Sequence, residues 1–395
     1  VSQSHAQQDI SSGMVWLFAT ATGLIVANLY YAQTLIGPIS RATGLDPGAA
    51  GLIVTLTQIG YCLGLLFIVP LGDLLENRRL IFIALLTTAV ALLAASFTSS
   101  AALFLLAAFC IGLGSVAAQI VVPFAAHMAR PEKRGQTVGK VMSGLLMGIM
   151  LARPVASLVA DALSWHAIFV ISAFTTTALA FLLRARLPQR QPDSGLHYFA
   201  LLGSMWQLLK TTPILRRRAA YQACMFGAFS LFWTCVSLEL TGPYFQLSQS
   251  GVAIFALVGV AGAIASPIAG RRADQGKSRS TTAAALTLGA IAFALPLLIH
   301  STRLIDLGVL VLTSIVLDMG VSANLVTGQR AIFALPPEIR SRLNGLYMAL
   351  FFMGGALGSS LGGWMFAAHG WTGVLWTGLA FPLTALCVFV TEPRR

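Results

Sequence analysis

From about residue 14 to residue 391 the chain is a succession of apolar, nearly uncharged stretches, each about 20 residues long and set off by short polar breaks. That pattern leaves one class of fold open. Only 10% of the residues are charged while 57% are hydrophobic, against about 25% charged in soluble proteins. Such a supply of charge cannot cover a water-facing surface. In hydrocarbon, a helix satisfies its backbone hydrogen bonds within one segment. The chain is therefore expected to be an all-α polytopic membrane protein.

Twelve spans are expected, at 14–37, 48–71, 79–97, 101–127, 136–160 and 165–185, then at 219–242, 250–272, 280–300, 304–333, 342–367 and 371–391. An even number puts both termini on one side. The loops of that side hold Arg78, Arg79, Arg130, Lys133, Arg134, Lys140, Arg271, Arg272, Lys277, Arg279, Arg340, Arg342 and the tail Arg394-Arg395, while the opposite loops hold Arg41 and Arg303. Basic residues gather in cytoplasmic loops, so both termini are expected in the cytoplasm, below a bacterial-type inner membrane. The same asymmetry accounts for the formal charge of +12 without nucleic acid as a partner.

The expected units are a tail at 1–13, a six-helix bundle at 14–185, a basic belt at 186–218, a second bundle at 219–391 and a tail at 392–395. The belt carries Arg186, Arg190, Lys210 and the run Arg216-Arg217-Arg218, with Pro188, Pro192 and Pro213. Within it Leu196 to Leu209 is apolar but too short to span. It reads as an amphipathic helix on the inner membrane face, with Tyr198 and Trp206 at headgroup level. The polar start, Val1 to Gly13, has neither a basic stretch nor a small-residue cleavage site, so no removable signal peptide is expected. Cys62, Cys110, Cys224, Cys235 and Cys387 lie in apolar runs without metal or redox spacing. They read as small hydrophobes.

The chain also repeats itself. Pro131, Glu132, Arg134, Gly139, Met147, Gly148 and Trp165 recur as Pro337, Glu338, Arg340, Gly345, Met353, Gly354 and Trp371, all at a spacing of 206. Gly37-Pro38 is echoed by Gly242-Pro243 at 205, and Asp73 by Asp274 at 201. Matches among Pro, Glu, Arg, Gly and Trp at one offset mark a duplicated six-helix unit.

These features resemble the major facilitator superfamily over the whole chain. The family carries G-x-x-x-D-R-x-G-R-R after spans 2 and 8. Here PLGDLLENRR (70–79) keeps Asp73, Arg78 and Arg79 but lacks the Arg after Asp and both glycines, and GRRADQGKSR (270–279) keeps Gly270 and Asp274. ANLYYAQTL (27–35) resembles bacterial drug-efflux members of the acriflavine-resistance type. The resemblance implies two pseudo-symmetric bundles that rock about a substrate site near the midplane, with spans 1, 4, 7 and 10 lining the cavity. It also implies loop motifs that latch the cytoplasmic side, and a protein that acts as a monomer.

Ionisable groups inside a span are costly and mark function. Asp318 lies midway along span 10 and is the candidate to carry a proton or anchor a cation, with a permanent pairing to a buried Arg as the structural alternative. Glu239, in the outer third of span 7, is a weaker candidate for the same task. Arg153 falls in GLLMGIMLARPVAS (144–157), where antiporter members of the family carry a glycine-rich motif; here Pro154 remains while Arg153 and Ser157 replace glycines. It can bind an anion, balance Asp318 or tie down helix ends.

Asn28, Tyr30, Tyr31, Gln33, Gln119 and Asn324 form a polar and aromatic set suited to a partly apolar organic ligand, or to hydrogen bonding between helices. Phe232 and Trp233 add aromatic wall or core. Asp73, Arg78, Arg79, Arg272 and Asp274 read as gating charges or as solvated loop.

No metal site, cofactor motif or catalytic motif is present in the sequence. The chain reads as a proton-coupled exporter of small amphipathic organic compounds by alternating access. The other reading is an importer or symporter of a small polar or anionic metabolite that uses Arg153.

Overall fold

The computed structural model describes residues 11–130, 133–190, 197–258, 260, 268–269, 271–272, 275–336 and 339–392. Asp274 and Gly270 of the second loop motif, Pro131, Glu132, Pro337 and Glu338 of the repeat, Pro192 of the belt, and Arg394-Arg395 lie outside the described residues.

Every regular element among the described residues is helical. The first half comprises α1 (Ser12–Ala27), α2 (Ile36–Thr43), α3 (Leu52–Leu63), α4 (Asn77–Phe97), α5 (Ala101–Ser115), α6 (Ala117–Met128), α7 (Arg134–Ala162) and α8 (Trp165–Arg186). After α9 (Tyr198–Thr211) in the belt come α10 (Pro213–Thr241), α11 (Gln249–Val258), α12 (Ser278–Leu298), α13 (Arg303–Phe333) and α14 (Arg340–Val390). Among the described residues nine helical stretches are long and apolar enough to cross a membrane, and α1 and α11 are shorter apolar helices. The last of the nine, α14, holds two expected spans, joined at Gly370 with φ 64° and ψ −160°. That conformation is open to glycine and strained for other residues.

Two expectations are corrected. Span 1 is not one helix: α1 stops at Ala27, a 3-10 turn covers Tyr31–Thr34, and α2 resumes at Ile36. The ring of Pro38 would meet the carbonyl of residue 34 in a continuous helix, so the chain breaks just ahead of it. The related pair Gly242-Pro243 follows the end of α10 at Thr241. Span 7 begins earlier than expected, at Pro213, so Arg216, Arg217 and Arg218 belong to its helix and not to a loose belt. Burial of Arg218 is possible because it donates to Thr282 Oγ1 at 2.8 Å and pairs with Glu392 at 3.5 Å.

Small residues bring the helices together alike in both halves. A side-chain carbon at Gly148 would strike the carbonyl of Gly23, where α7 meets α1; one at Gly354 or Gly358 would strike that of Ala223 or Gly227, where α14 meets α10. Without hydrophobic driving force between helices in lipid, such backbone approach supplies the packing energy.

The halves meet on the side opposite the termini. There the hydroxyls of Thr55 and Ser359 share a hydrogen bond of 2.8 Å, and Ser250 donates to Asp161. Deeper in, Gln58 Nε2 donates to Ser230 Oγ at 2.9 Å. Toward the termini a cavity of about 890 Å³ opens instead, its described walls being α1 and α7 from Ser12 and Lys133 down to Tyr31 and Val155. On this side the belt helix α9 touches both halves. Its Leu201 and Met205 are buried against α10, α13 and α14, and Ser204 accepts a bond from Arg342 at 2.8 Å. Tyr198 donates its hydroxyl to the Phe67 carbonyl at 2.8 Å, while Phe199 and Trp206 remain exposed.

Gly148→Ala and Gly358→Ala are each expected to lower thermal stability in detergent by about 1–3 kcal/mol, the usual range for overpacking. Gly139→Ala, which meets nothing within 4 Å inside α7, is expected to raise the melting temperature slightly, since alanine suits a helix interior better by about 1 kcal/mol.

Candidate functional site

The break in span 1 exposes polar groups to the middle of the molecule, and α7 supplies the charge that meets them. Arg153 is only 3% exposed. Its Nε donates to Gln33 Oε1 at 2.9 Å. The guanidinium lies over three aromatic faces, at 4.3 Å from the Trp233 centroid, 4.8 Å from Phe229 and 5.4 Å from Tyr30. A cation over an aromatic ring gains about 2 kcal/mol or more when desolvated. The cage thus offsets part of the cost of burying Arg153.

Trp233 also carries the connection onward. Its Nε1–H donates to Asp318 Oδ1 at 3.0 Å, and Asp318 is 8% exposed at the middle of α13. Arg153 and Asp318 are not paired directly; the indole contacts both, its face toward the guanidinium and its N–H toward the carboxylate. The resulting chain Gln33–Arg153–Trp233–Asp318 starts in the first half and ends in the second. It is steadied by Ser237 Oγ, which donates to the Gln33 carbonyl at 3.1 Å. Phe226, Phe229 and Trp233 recur at helical spacing along α10; Phe229 and Trp233 meet Arg153 of the first half, while Phe226 packs on Phe351 and Phe352 of α14.

Two donors in this cluster are left over. Arg153 Nη2 and Gln33 Nε2 are buried without an acceptor. The Gln33 amide cannot be turned to change this, since its oxygen already accepts from Arg153. A buried donor without a partner costs roughly 1–3 kcal/mol.

Other expected residues lie elsewhere. Asn28 Oδ1 accepts from Ser172 at 2.5 Å, a bond between α8 and the end of α1. Tyr31 reaches the cavity wall. Gln119 Nε2 donates to the Tyr61 hydroxyl at 3.0 Å inside the first half. Asn324 Nδ2 donates to Gln222 Oε1 at 2.6 Å inside the second. Phe232 is fully buried with its ring near Phe293 and Trp371, so it packs as core of the second half. Glu239 sits half-buried near the far end of α10.

The gating charges spread apart as well. Asp73 is exposed in the field of Arg190 and of Arg342 from the second half. Arg78 donates to the Leu187 carbonyl at 3.4 Å and lies 3.8 Å from Glu76. Arg79 and Arg272 are exposed. Sequence reasoning passed over Glu76, whose carboxylate caps α4 by accepting from the Arg78 and Arg79 amides. It also passed over Gln58 and Thr55, polar residues of span 2 grouped with Thr57, whose only sequence signal is their position in an apolar run. Among the described residues no group of three His, Cys, Asp or Glu side chains converges.

With this geometry in view, comparison with known proteins gives a consistent result. The Major Facilitator Superfamily model matches residues 15–315 and 219–395. The uncharacterized transporter YgaY of Escherichia coli O157:H7 is 39% identical over 381 residues, 96% of each chain. A probable transporter of Streptomyces coelicolor, SCO4007, is 30% identical over 376 residues, 94% of this chain and 86% of its own. Among solved structures, a bacterial homologue of the human lysosomal transporter Spinster, inward-facing and unoccupied, matches with a TM-score of 0.77 at 13% identity over 96% of each chain.

Trp233→Phe keeps a ring under Arg153 and removes the donor to Asp318. The variant is expected to fold with its ligand-free stability lowered by about 0.6–1.7 kcal/mol, the span of measured hydrogen bonds inside membranes, read by thermal unfolding in detergent beside wild type.

Proposed function

The chain belongs to the major facilitator superfamily and is a membrane transporter, and on that premise we propose that it couples a small amphipathic organic substrate to protons by alternating access. One observation carries the reading: the buried chain from Gln33 and Arg153 through Trp233 to Asp318, which crosses from one half to the other. A carboxylate so placed can take up a proton, and doing so removes the charge that balances Arg153. The contacts between the halves then weaken or tighten with proton occupancy, which is what coupling requires.

The basic loops support placing the termini, and with them the cavity mouth, in the cytoplasm. The cavity walls are mixed: Val15, Leu24, Met147, Leu151 and Val155 are apolar, while Thr20, Gln136, Thr137 and Ser143 offer hydrogen bonds. That lining suits an organic compound with an apolar body. Export in exchange for protons is supported by the likeness of residues 27–35 to drug-efflux members. Uptake together with protons is supported by the surplus donors on Arg153 and Gln33. The sign of the substrate's charge separates the two, because a cation exchanges with a proton and an anion travels with one.

The test uses everted membrane vesicles containing the full chain, energised to be acidic inside. Transport of ethidium, a cationic dye, and of salicylate, an aromatic anion, is followed with and without a protonophore. Wild type is expected to move one of the two in a protonophore-sensitive manner, and Asp318→Asn is expected to lose that sensitivity at equal expression. Unchanged proton dependence in Asp318→Asn would sink the coupling role.

A further inference from the structure

Resting on the reading of Arg153 and Asp318 as a coupled pair, we infer that Arg153 and Gln33 form the binding site of a flat organic monoanion, a carboxylate on an aromatic or conjugated body, which crosses together with one proton. A guanidinium has five N–H donors and no acceptor, and the Gln33 amide nitrogen donates only. Both surplus atoms, Arg153 Nη2 and Gln33 Nε2, are therefore donors, and they sit on two side chains already bonded to each other. What they lack is a pair of acceptor oxygens. A carboxylate supplies two, and arginine is suited to bind it with charge-assisted hydrogen bonds.

The surroundings fix the rest of the ligand. Tyr30, Phe229 and Trp233 present ring faces around the guanidinium, and a flat body attached to the carboxylate would stack or pack edge-on against them. The donors are sealed in this access state. The cavity's inner wall nonetheless includes Tyr31 and Ala152, two positions from Gln33 and one from Arg153. Its approach is lined by Lys133 and Lys140, and no carboxylate is among its described lining residues. An anion is drawn along that path and a cation is not.

Charge balance then dictates the coupling. The empty site holds Arg153 and Asp318 and sums to zero. An incoming monoanion makes the sum −1, which a dry interior does not tolerate. A proton added to the Asp318 carboxylate restores neutrality, and Trp233 Nε1–H can still donate to Oδ1. Anion and proton enter together, and both leave on the other side. A cation would instead face two surplus donors and the positive charge of Arg153.

The experiment uses the full chain in lipid nanodiscs and proteoliposomes. Three aromatic carboxylates serve as probes (salicylate, cinnamate and nicotinate), with salicylamide as neutral and benzamidine as cationic counterparts. At least one carboxylate is expected to bind ten-fold or more tightly than either counterpart. Arg153→Gln is expected to weaken that binding ten-fold or more. Should Arg153→Gln fail to fold, Gln33→Glu gives the same reading: it hands Arg153 an internal carboxylate, so it is expected to keep its melting temperature and lose anion binding ten-fold or more.

No carboxylate binding across the set, equal binding of benzamidine, or unchanged binding in folded Gln33→Glu overturns the anion site. Asp318→Asn separates the two levels. It is expected to keep anion binding while an inward acid gradient no longer speeds uptake. If the gradient still drives the mutant, the proton role of Asp318 falls while the Arg153 site stands.

Discussion

A membrane interior offers no water to a charge, so a protein that keeps one there must neutralise it with its own groups. In this chain that constraint has a specific solution. Arg153 and Asp318 come from different halves and do not touch; three aromatic faces and one indole N–H carry the compensation between them. Everything around the pair serves that arrangement. The Pro38 break turns Gln33 toward α7, the aromatic stripe of α10 fills the gap, and the closed side of the molecule holds the halves near enough for the chain of contacts to form. A change of access state must either keep this compensation or replace it with a proton and a ligand, which gives the fold a physical reason to couple the two.

The scaffold is duplicated but the chemistry is not. Gly148 and Gly354, one repeat apart, both let α7 or α14 press on the first helix of its own half. At the same spacing of 206, Arg153 corresponds to Ser359, and Asp318 to Gly112. Ser359 bonds to Thr55 on the closed side, and Gly112 packs against the backbone of Thr57. One copy of each position thus serves an uncharged contact while the other carries an ionisable group. Two like bundles that rock against one another need matching mechanics, whereas a single ligand between them needs only one charged group from each.

Much of this was legible in the sequence for a physical reason. The solvation cost of charge makes Arg153 and Asp318 conspicuous in apolar runs, and the same cost bars them from facing lipid. Gln33, Tyr30 and Trp233 also stood out as polar or aromatic groups. What the sequence did not show was pairing. Nothing in hydropathy tells that Trp233 would bond to Asp318, that Phe232 beside it would turn into the core, or that Phe229 would complete the cage. Averaged hydropathy also hid the break at Tyr31–Thr34 and the early start of α10, since it registers composition and not backbone hydrogen bonding. Gln58, Ser230, Thr55 and Ser359 join the halves through modest polar contacts between small residues, and such residues look alike whether they bridge helices or bond to their own backbone.

Glu392, just beyond the last helix, has a consequence for how the molecule comes to be assembled. It neutralises Arg218 near the start of α10, and its carbonyl accepts from Arg279 near the start of α12 at 3.0 Å. The opening helix of the second half therefore gains a counter-ion for its buried cation only once the chain has passed through the last helix of that half. The second bundle is clasped across its whole length, its first helix held by a residue that follows its last.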